Sequence, residues 1–358
     1  MEALPNGNRL PSENKNPLLG KDHKRYRAFA VFLICCAILI AAFAISAICM
    51  NVSDGEFPFW TTAGTGDASG TEEPDETTGT SGGTQGNVTS SAPEGEPQSP
   101  TLPEGAVPIL SLDLTSSKNL INETPYRPNV SSLLALSLKE DHIGSEPIVL
   151  IIHTHTSESY QETQKEYFEG AAGDHTYSKD PALNVLKVGE TLCQTLNEQG
   201  IPTLHCKTLH DDPSLSGSYL RSAESIKWYL EQYPSIRYVI DVHRDAVSTL
   251  DGEYVRSLAS GTENATAQIM AVVGSDCNGT AVSNMQENLA LALQLCQRLN
   301  ADGDSVCRAP FLKKASYNQE LAPRSLLLEI GTGANTLDEA CRAAELTGRA
   351  LAALIKGE

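Results

Sequence analysis

The chain has 358 residues, of which 45 are acidic and 26 are lysine or arginine, giving a formal net charge of −19 at pH 7. Because surfaces that bind nucleic acid are basic and interleaved with aromatic side chains, this charge argues against a nucleic-acid partner. The length alone would allow two or three domains, but the composition changes along the chain in a way that indicates one folded domain.

The first 50 residues have the composition of a membrane anchor. Residues 1–27 form a basic tail, and residues 28–50 form a run without any charged residue that is long enough to cross a bilayer as a helix. A cleaved signal peptide has a shorter apolar core, so we expect an uncleaved single-pass anchor in the cell membrane. The positive-inside rule then predicts a cytoplasmic N-terminus and an extracytoplasmic remainder.

Residues 51–105 have a different composition. They are rich in Gly, Ser, Thr and Pro and carry ten acidic residues but no lysine or arginine. Such a segment has too little apolar surface to fold, and its charges repel one another. We therefore predict a disordered acidic linker that lets the following domain work at a distance from the membrane.

Residues 106–358 are enough for one domain with a sizeable core. Apolar runs predict strands at residues 148–152, 202–207, 236–242, 267–273 and 326–330. Helical spacing predicts helices at residues 184–197, 216–232, 284–299 and 336–355. This alternation predicts an α/β fold with a largely parallel twisted sheet and helices on both faces. Residues 111–143 are less regular and are expected to pack on the domain as an extension.

The nine cysteines do not form a metal-binding pattern. Three lie in the predicted membrane span, and the other six are scattered without CxxC spacing. Most of these six are explained as small buried thiols. A single disulfide outside the membrane is the alternative, and the sequence does not indicate which cysteines would form it.

Histidines and carboxylates follow three of the predicted strands. His155 and Glu158 come after residues 148–152, His243 follows residues 236–242, and Glu329 lies near the end of residues 326–330. In open α/β sheets, ligands bind at the carboxyl ends of the strands. Two imidazoles and one carboxylate are the ligand set of a catalytic zinc ion, which leaves Glu329 as a general base. We therefore predict a Zn²⁺ site formed by His155, Glu158 and His243.

One choice within this set stays open. His153 and His155 would point to opposite faces if the strand continued, so only one of them is expected to share a metal with Glu158. The HxxE spacing favours His155, with His153 as the alternative ligand. The alternative to a metal site is that these histidines only end a strand and hydrogen-bond to the backbone.

Other polar residues near the strand ends are candidates for substrate contacts. Arg244 could hold a substrate carboxylate with its guanidinium, unless it forms an ion pair with Asp241 or Asp245. Either aspartate could orient a ligand imidazole, and Asp245 could also contact substrate. In the loop before the first long helix, His175 is a candidate substrate residue, and both Asp174 and His175 could relate to the metal. Asn184 suits either substrate binding or a helix N-cap.

Several strings together carry a resemblance to a known family. HTHTSESY at residues 153–160, NVLKVGE at 184–190, DVHRDA at 241–246 and LLLEIG at 326–331, with the basic tail, membrane span and linker, resemble stage II sporulation protein P. The resemblance covers about residues 110–357. The family is similar to the zinc N-acetylmuramoyl-L-alanine amidases and implies their phosphorylase/hydrolase-like fold.

The resemblance implies a membrane-anchored hydrolase of peptidoglycan. It implies cleavage of the amide between muramic acid and the stem peptide, with endopeptidase action on cross-links as a further activity. It also implies septal wall degradation and engulfment during sporulation, at the septal membrane, beside a lytic transglycosylase partner.

One departure from the amidases affects the ligand assignment. Those enzymes take the zinc carboxylate from the start of the helix that follows the first ligand, where this chain reads SKDP at residues 178–181. The HxxE spacing instead resembles zinc carboxypeptidases, so the carboxylate role goes to Glu158. Two alternative functions remain: a non-catalytic wall-binding scaffold that recruits another hydrolase, and a zinc carboxypeptidase acting on stem peptides.

Overall fold

The computed structural model describes residues 102–140, 142–169, 176–277 and 279–358. The predicted cytoplasmic tail, the membrane anchor and almost all of the acidic linker lie outside these ranges. None of the helices in the described ranges is long and apolar enough to span a membrane.

Twelve strands are present in the described residues, and seven of them form the main sheet. In chain order the strands are β1 (Ala106–Leu112), β2 (Ile121–Asn122), β3 (Val149–Ile152), β4 (Tyr167–Glu169), β5 (Thr203–His205), β6 (Tyr238–Asp245), β7 (Tyr254–Ser257), β8 (Ile269–Gly274), β9 (Asp276–Cys277), β10 (Thr280–Ala281), β11 (Phe311–Lys313) and β12 (Arg324–Thr332). The main sheet has the order β2-β11-β8-β12-β6-β3-β5, and only the β8–β12 pair is antiparallel. The predicted α/β fold with a largely parallel sheet is confirmed.

The four long helices in the described residues begin and end close to the predicted bounds, and the first helix, a short one, was not predicted. They are α1 (Val130–Leu134), α2 (Val185–Glu198), α3 (Ser218–Gln232), α4 (Met285–Leu299) and α5 (Leu337–Lys356), with a short 3-10 helix at Gln319–Leu321. The side chain of Asn184 caps α2, and a capping box formed by Thr336 and Glu339 starts α5. These caps explain why both helices begin where the sequence predicts.

Alternation along the strands separates the two faces of the sheet. In β6, Tyr238, Ile240 and Val242 join the large core formed with α2, α4 and α5. Val239 points to the opposite face and joins a smaller cluster with Ile226 of α3. Because side chains alternate, Asp241 and His243 belong to the α3 face. The catalytic candidates therefore lie on the face that only one long helix covers in the described residues.

Part of the architecture was not predicted. β1 pairs with β4 and β7 in a separate three-stranded sheet, and β2 adds to the main sheet beside β11. Pro108 interrupts the strand pattern of β1, and β11 has only three residues after Pro310. Sequence periodicity is weak in segments of this kind. The irregular stretch of residues 111–143 does pack on the domain, since α1 contacts α4.

Five cysteines in the described part of the chain are free thiols. They are Cys193, Cys206, Cys296, Cys307 and Cys341. No disulfide joins them, which agrees with their role as small side chains in or beside the core.

Gly189 in α2 allows the helix to approach two histidines closely. A Cβ atom added there would lie 2.5 Å from Cε1 of His153 and 2.9 Å from Nε2 of His205. His153 is fully buried and both ring nitrogens are hydrogen-bonded, so its ring has no room to move. Gly189→Ala is therefore expected to lower the free energy of unfolding by about 1–3 kcal/mol, although alanine favours helices by about 0.5–1 kcal/mol.

Urea unfolding of the purified protein measures this effect. Gln194→Ala, at an exposed position of the same helix, is the matched control and should change stability little. A Gly189→Ala protein as stable as the parent would contradict this packing.

Candidate metal centre

The loop after β3 places His155 and Glu158 on the same side. Thr156 Oγ1 donates a hydrogen bond to His153 O over 2.9 Å, and the backbone N–H of Ser157 donates to Asp211 Oδ2 over 2.8 Å. The N–H of Glu158 donates to His155 O over 3.2 Å, which closes a turn. These bonds hold the His155 imidazole and the Glu158 carboxylate one turn apart.

The structure brings the three predicted ligands together. Nδ1 of His155 lies 3.4 Å from Glu158 Oε1, and Nδ1 of His243 lies 3.4 Å from Glu158 Oε2. One ligand atom from each residue lies within 4.8 Å of the other two. In the described part of the chain, no other cluster of histidines, cysteines and carboxylates has this geometry.

The donor set fits a zinc ion. Two ligands about 2.1 Å from a tetrahedral ion lie about 3.4 Å apart, which matches both nitrogen–oxygen distances. Burial acts to lower the pKa of His243, but Asp241 and Glu158 outweigh it and raise that pKa well above its ordinary value. The same carboxylates that favour a proton here would favour a metal cation. His155 is the most exposed of the three, and all three residues line the same cleft.

His153 lies away from this cluster. Its Nδ1 is 2.9 Å from Val242 O, and its Nε2 is 2.8 Å from His205 Nε2. Burial and the nearby His205 lower the pKa of His153 to about 3, so the imidazole is neutral. Both ring nitrogens of His153 already have hydrogen-bond partners, on the α2 side of the sheet. The alternative in which His153 replaces His155 as a metal ligand is therefore wrong for this geometry.

Asp241 holds the far side of the His243 ring. Its Oδ1 lies 3.1 Å from His243 Nε2 and accepts the N–H of Thr154 over 2.8 Å. Its Oδ2 accepts the hydroxyl of Thr154 over 2.6 Å. Of the two aspartates considered from the sequence, Asp241 therefore has the position of an imidazole-orienting carboxylate, because Nδ1 of His243 remains for a metal.

Glu329 stands beside His243 on the neighbouring strand. The β6–β12 register pairs the two residues directly, and both side chains line the same cleft. Oε2 of Glu329 is buried and has no hydrogen-bond partner among the described residues. Burial and the charge of Asp245 raise the pKa of Glu329 to about 8. A carboxylate with these properties can exchange protons near neutral pH.

Arg244 makes contacts that the sequence did not predict. Its Nη2 donates to Thr176 O over 2.9 Å, and its guanidinium lies 4.9 Å from the ring centroid of Tyr177. The backbone N–H of Arg244 donates to Glu158 Oε2 over 3.0 Å. Arg308, rather than Arg244, forms the ion pair with Asp245, at 2.8 Å. Arg244 thus supports the Glu158 carboxylate, and its contact with substrate stays a prediction.

Two predicted substrate residues have different outcomes. Asn184 is fully buried; its Oδ1 accepts the N–H of Leu186, and its Nδ2 donates to Ser178 O, both over 2.9 Å. The Asn184 side chain therefore has no exposed surface with which to bind a ligand. Asn184 is a helix cap, and the prediction that it binds substrate is wrong. His175 and Asp174 lie outside the described residues.

The cleft beside the cluster has a volume of about 310 Å³ and walls that the sequence analysis missed. The Tyr219 ring lies 5.5 Å from that of His155 and 6.0 Å from that of Tyr317. Tyr317 and Asn318 have φ angles of 54° and 58°, rare for residues other than glycine. Asn318 Nδ2 donates to Tyr219 O over 2.8 Å and to Ser222 Oγ over 3.0 Å, which holds both tyrosines at the cleft.

A comparison with protein families identifies the chain. The family model for stage II sporulation protein P matches residues 71–352. The chain belongs to the stage II sporulation protein P family. It is also 30% identical over 212 residues to stage II sporulation protein P of Bacillus subtilis (strain 168), which covers 56% of this chain and 49% of that protein. This member of the stage II sporulation protein P family thus spans about half the length of the curated relative it matches.

Solved structures similar to this stage II sporulation protein P family member include several amidases. An N-acetylmuramyl-L-alanine amidase from Mycobacterium abscessus has 15% identity and a TM-score of 0.34, covering 59% of this chain and 96% of that one. The CwlD amidase from Clostridioides difficile, solved in complex with the GerS lipoprotein, has 12% identity and a TM-score of 0.35, covering 57% and 94%. Similarities this distant do not assign a function to the chain.

Proposed function

We propose that this chain is a zinc-dependent peptidoglycan hydrolase that cleaves the amide between muramic acid and the stem peptide. The observation that carries the proposal is the His155, Glu158 and His243 cluster opening on a cleft beside Glu329. The amide specificity follows from the family resemblance of the sequence, and endopeptidase action on cross-links belongs to the same proposal.

The three clustered residues would hold the ion. His155 and His243 would each contribute Nδ1, and Glu158 would contribute a carboxylate oxygen. When bound there, zinc supplies a Lewis acid that activates a carbonyl group and water. The N–H of Arg244 donates to Glu158 Oε2, and Asp241, 3.1 Å from Nε2 of His243, would favour the tautomer with a proton on that nitrogen.

Glu329 would be the general base and then the general acid. Its carboxylate would remove the proton from the attacking water and pass it to the leaving nitrogen. The burial of its Oε2, which has no hydrogen-bond partner among the described residues, supports this role, because a solvated or ion-paired carboxylate would hold a proton less readily. The protonated hydroxyls of Tyr219 and Tyr317 would donate hydrogen bonds to substrate oxygens, since burial raises the pKa of Tyr317 to about 12.

The remaining parts of the proposal concern the setting. The predicted anchor at residues 28–50 and the linker at 51–105 would place the domain outside the cell membrane, at the sporulation septum. There it would degrade septal wall during engulfment beside a lytic transglycosylase. The family membership supports the link to sporulation.

Asp241→Asn is expected to weaken zinc binding by about 10- to 100-fold, because the amide no longer fixes the His243 tautomer. Competition with a chromogenic chelator measures the affinity. Asp302→Asn, at an exposed position, is the control and should leave it unchanged. An Asp241→Asn protein with the parental zinc affinity would exclude this role for Asp241.

Digestion of purified sacculi tests the function. The full-length protein in detergent, loaded with zinc, is expected to release intact stem peptides with a free N-terminal alanine. Treatment with a chelator should stop the release, and added zinc should restore it. Loss of only a terminal amino acid would instead indicate a carboxypeptidase. Binding to sacculi without release in the presence of zinc would indicate a scaffold.

A further inference from the structure

A second depression adjoins the metal cleft and shares one residue with it. The depression has a volume of about 370 Å³ and, like the cleft, is lined by Tyr177. The two meet along the chain as well, since Glu158 lines the cleft and Ser159 lines the depression. A cleft of about 310 Å³ holds a small ligand, whereas a polymeric substrate extends beyond the bond that is cleaved. The depression is therefore a candidate for the part of the substrate that the cleft does not hold.

Tyr177 lies on a ridge between the cleft and the depression. The backbone N–H of Ser159 donates to Thr176 O over 2.9 Å, and Glu158 pairs with Tyr177 in an antiparallel bridge. The Arg244 guanidinium lies 4.9 Å from the centroid of the Tyr177 ring, yet 48% of Tyr177 stays exposed. The ring is thus supported from the protein side and still presents a surface to an occupant.

The depression is lined mainly by uncharged polar side chains. Ser159 and Gln161 both line it and are only 3% and 4% exposed. Gln161 Nε2 donates to Gly333 O over 3.1 Å, but Gln161 Oε1 and Ser159 Oγ make no hydrogen bond with any described residue. Neither oxygen is fully enclosed by the protein. Because buried polar side chains are normally hydrogen-bonded, these two oxygens favour an occupant that carries hydroxyl or amide groups.

A glycan strand has the chemistry that suits this surface. N-acetylated sugar rings carry hydroxyl and amide groups at their edges and C–H groups on their faces. They can therefore stack on an aromatic ring while their edges form hydrogen bonds. The interior of the cleft differs, because Met270, Val272 and Leu327 make part of its lining apolar. Such walls suit amino-acid side chains better than sugars, which would lose hydrogen bonds to water there.

We propose that Tyr177 and the adjoining depression bind the glycan strand of peptidoglycan, while the stem peptide lies in the cleft against Met270, Val272 and Leu327. The identity of the polymer as peptidoglycan rests on the proposed function. The sugar next to the scissile amide packs on the Tyr177 ring, and the adjacent sugars continue toward Ser159. This arrangement fixes the direction in which the substrate crosses the metal cluster.

Two probes test this direction: peptide-free glycan strands and the free stem peptide. Their dissociation constants are measured with the zinc-loaded, full-length Glu329→Gln protein in detergent as the parent. Adding Tyr177→Ala is expected to weaken glycan binding about tenfold, because the stacking surface is lost, and to leave peptide binding within about threefold. Tyr177→Phe keeps the ring and should bind glycan within about threefold of the parent. Loss of peptide binding instead of glycan binding would reverse the direction and overturn the proposal.

Met270→Ala gives the reciprocal measurement. It should weaken binding of the stem peptide by about threefold or more, because apolar contact is lost, and leave glycan binding unchanged. Trp228→Ala is the matched control, since Trp228 is 53% exposed but lines neither the cleft nor the depression. It should change neither constant. Loss of glycan binding in Trp228→Ala but not in Tyr177→Ala would place the glycan on α3 and overturn the proposal.

Zinc affinity and the urea midpoint distinguish binding from a structural role. Both should be unchanged in Tyr177→Ala. A loss of zinc or of stability that parallels the loss of glycan binding would mean that Tyr177 only supports Arg244, and would overturn the proposal.

Binding also separates this inference from the proposed hydrolysis. If the wild type releases no stem peptide but Tyr177→Ala still loses glycan binding, the glycan subsite stands and the hydrolase fails. If the wild type cleaves sacculi but Tyr177→Ala binds glycan as the parent does, the hydrolase stands and the subsite fails. Glycan strands that do not bind the parent also overturn the subsite.

Discussion

His243→Ala is expected to remove both zinc and hydrolytic activity. His243 contributes one of three predicted ligand atoms and is held between Glu158 and Asp241, at 3.4 and 3.1 Å. Loss of a residue that only orients a ligand costs about 10- to 100-fold in metal affinity, so loss of the ligand itself should cost more than about 100-fold. Metal analysis after dialysis and muropeptide release measure the two effects.

The same substitution leaves two buried carboxylates close together, which could also destabilise the fold. His155→Ala separates these effects, because the His155 side chain is 25% exposed and its removal disturbs the core less. It should lose zinc and activity while unfolding at a similar urea concentration. His142→Ala, at an exposed position, is the control. Zinc retained at parental affinity in either His155→Ala or His243→Ala would contradict the ligand assignment.

Glu329→Gln is expected to lose activity while keeping zinc. The substitution preserves the shape of the side chain on β12 but removes its ability to accept and return a proton. General acid–base catalysis contributes about 10²- to 10⁴-fold, so kcat should fall by that factor. Zinc content and the urea midpoint should stay close to those of the wild type.

Glu345→Gln on the exposed face of α5 serves as the matched control. Two results would remove Glu329 from the mechanism: a kcat within about threefold of wild type, or a parallel loss of zinc and activity. The first would point to another base, and the second would make Glu329 part of the metal site.

Much of the fold could be predicted because the central strands and long helices follow simple periods. The runs that became β3, β6 and β12 are apolar because both faces of the sheet are covered at those positions. Three site residues could be recognised at the ends of these strands: His155, His243 and Glu329. A polar or charged side chain beside an apolar run needs a partner, so its presence there indicates a site.

Other features depend on contacts that sequence spacing does not contain. The choice between His153 and His155 depends on how the chain turns after Ile152, and that turn is fixed by Asp211, far along the sequence. Asn184 suited a cap or a substrate contact equally, and only its complete burial decides between them. Arg308, which pairs with Asp245, precedes a three-residue strand that is too short to be recognised from its pattern.

X-ray absorption at the zinc edge of the full-length protein tests the central claim most directly. The account predicts one zinc per chain, with two imidazole nitrogens and carboxylate or water oxygens at about 2.0–2.2 Å and no sulfur ligand. The His155→Ala protein should lose this signal. Sulfur at about 2.3 Å, three imidazole ligands, or an absence of stoichiometric zinc would contradict a metal centre built from His155, Glu158 and His243.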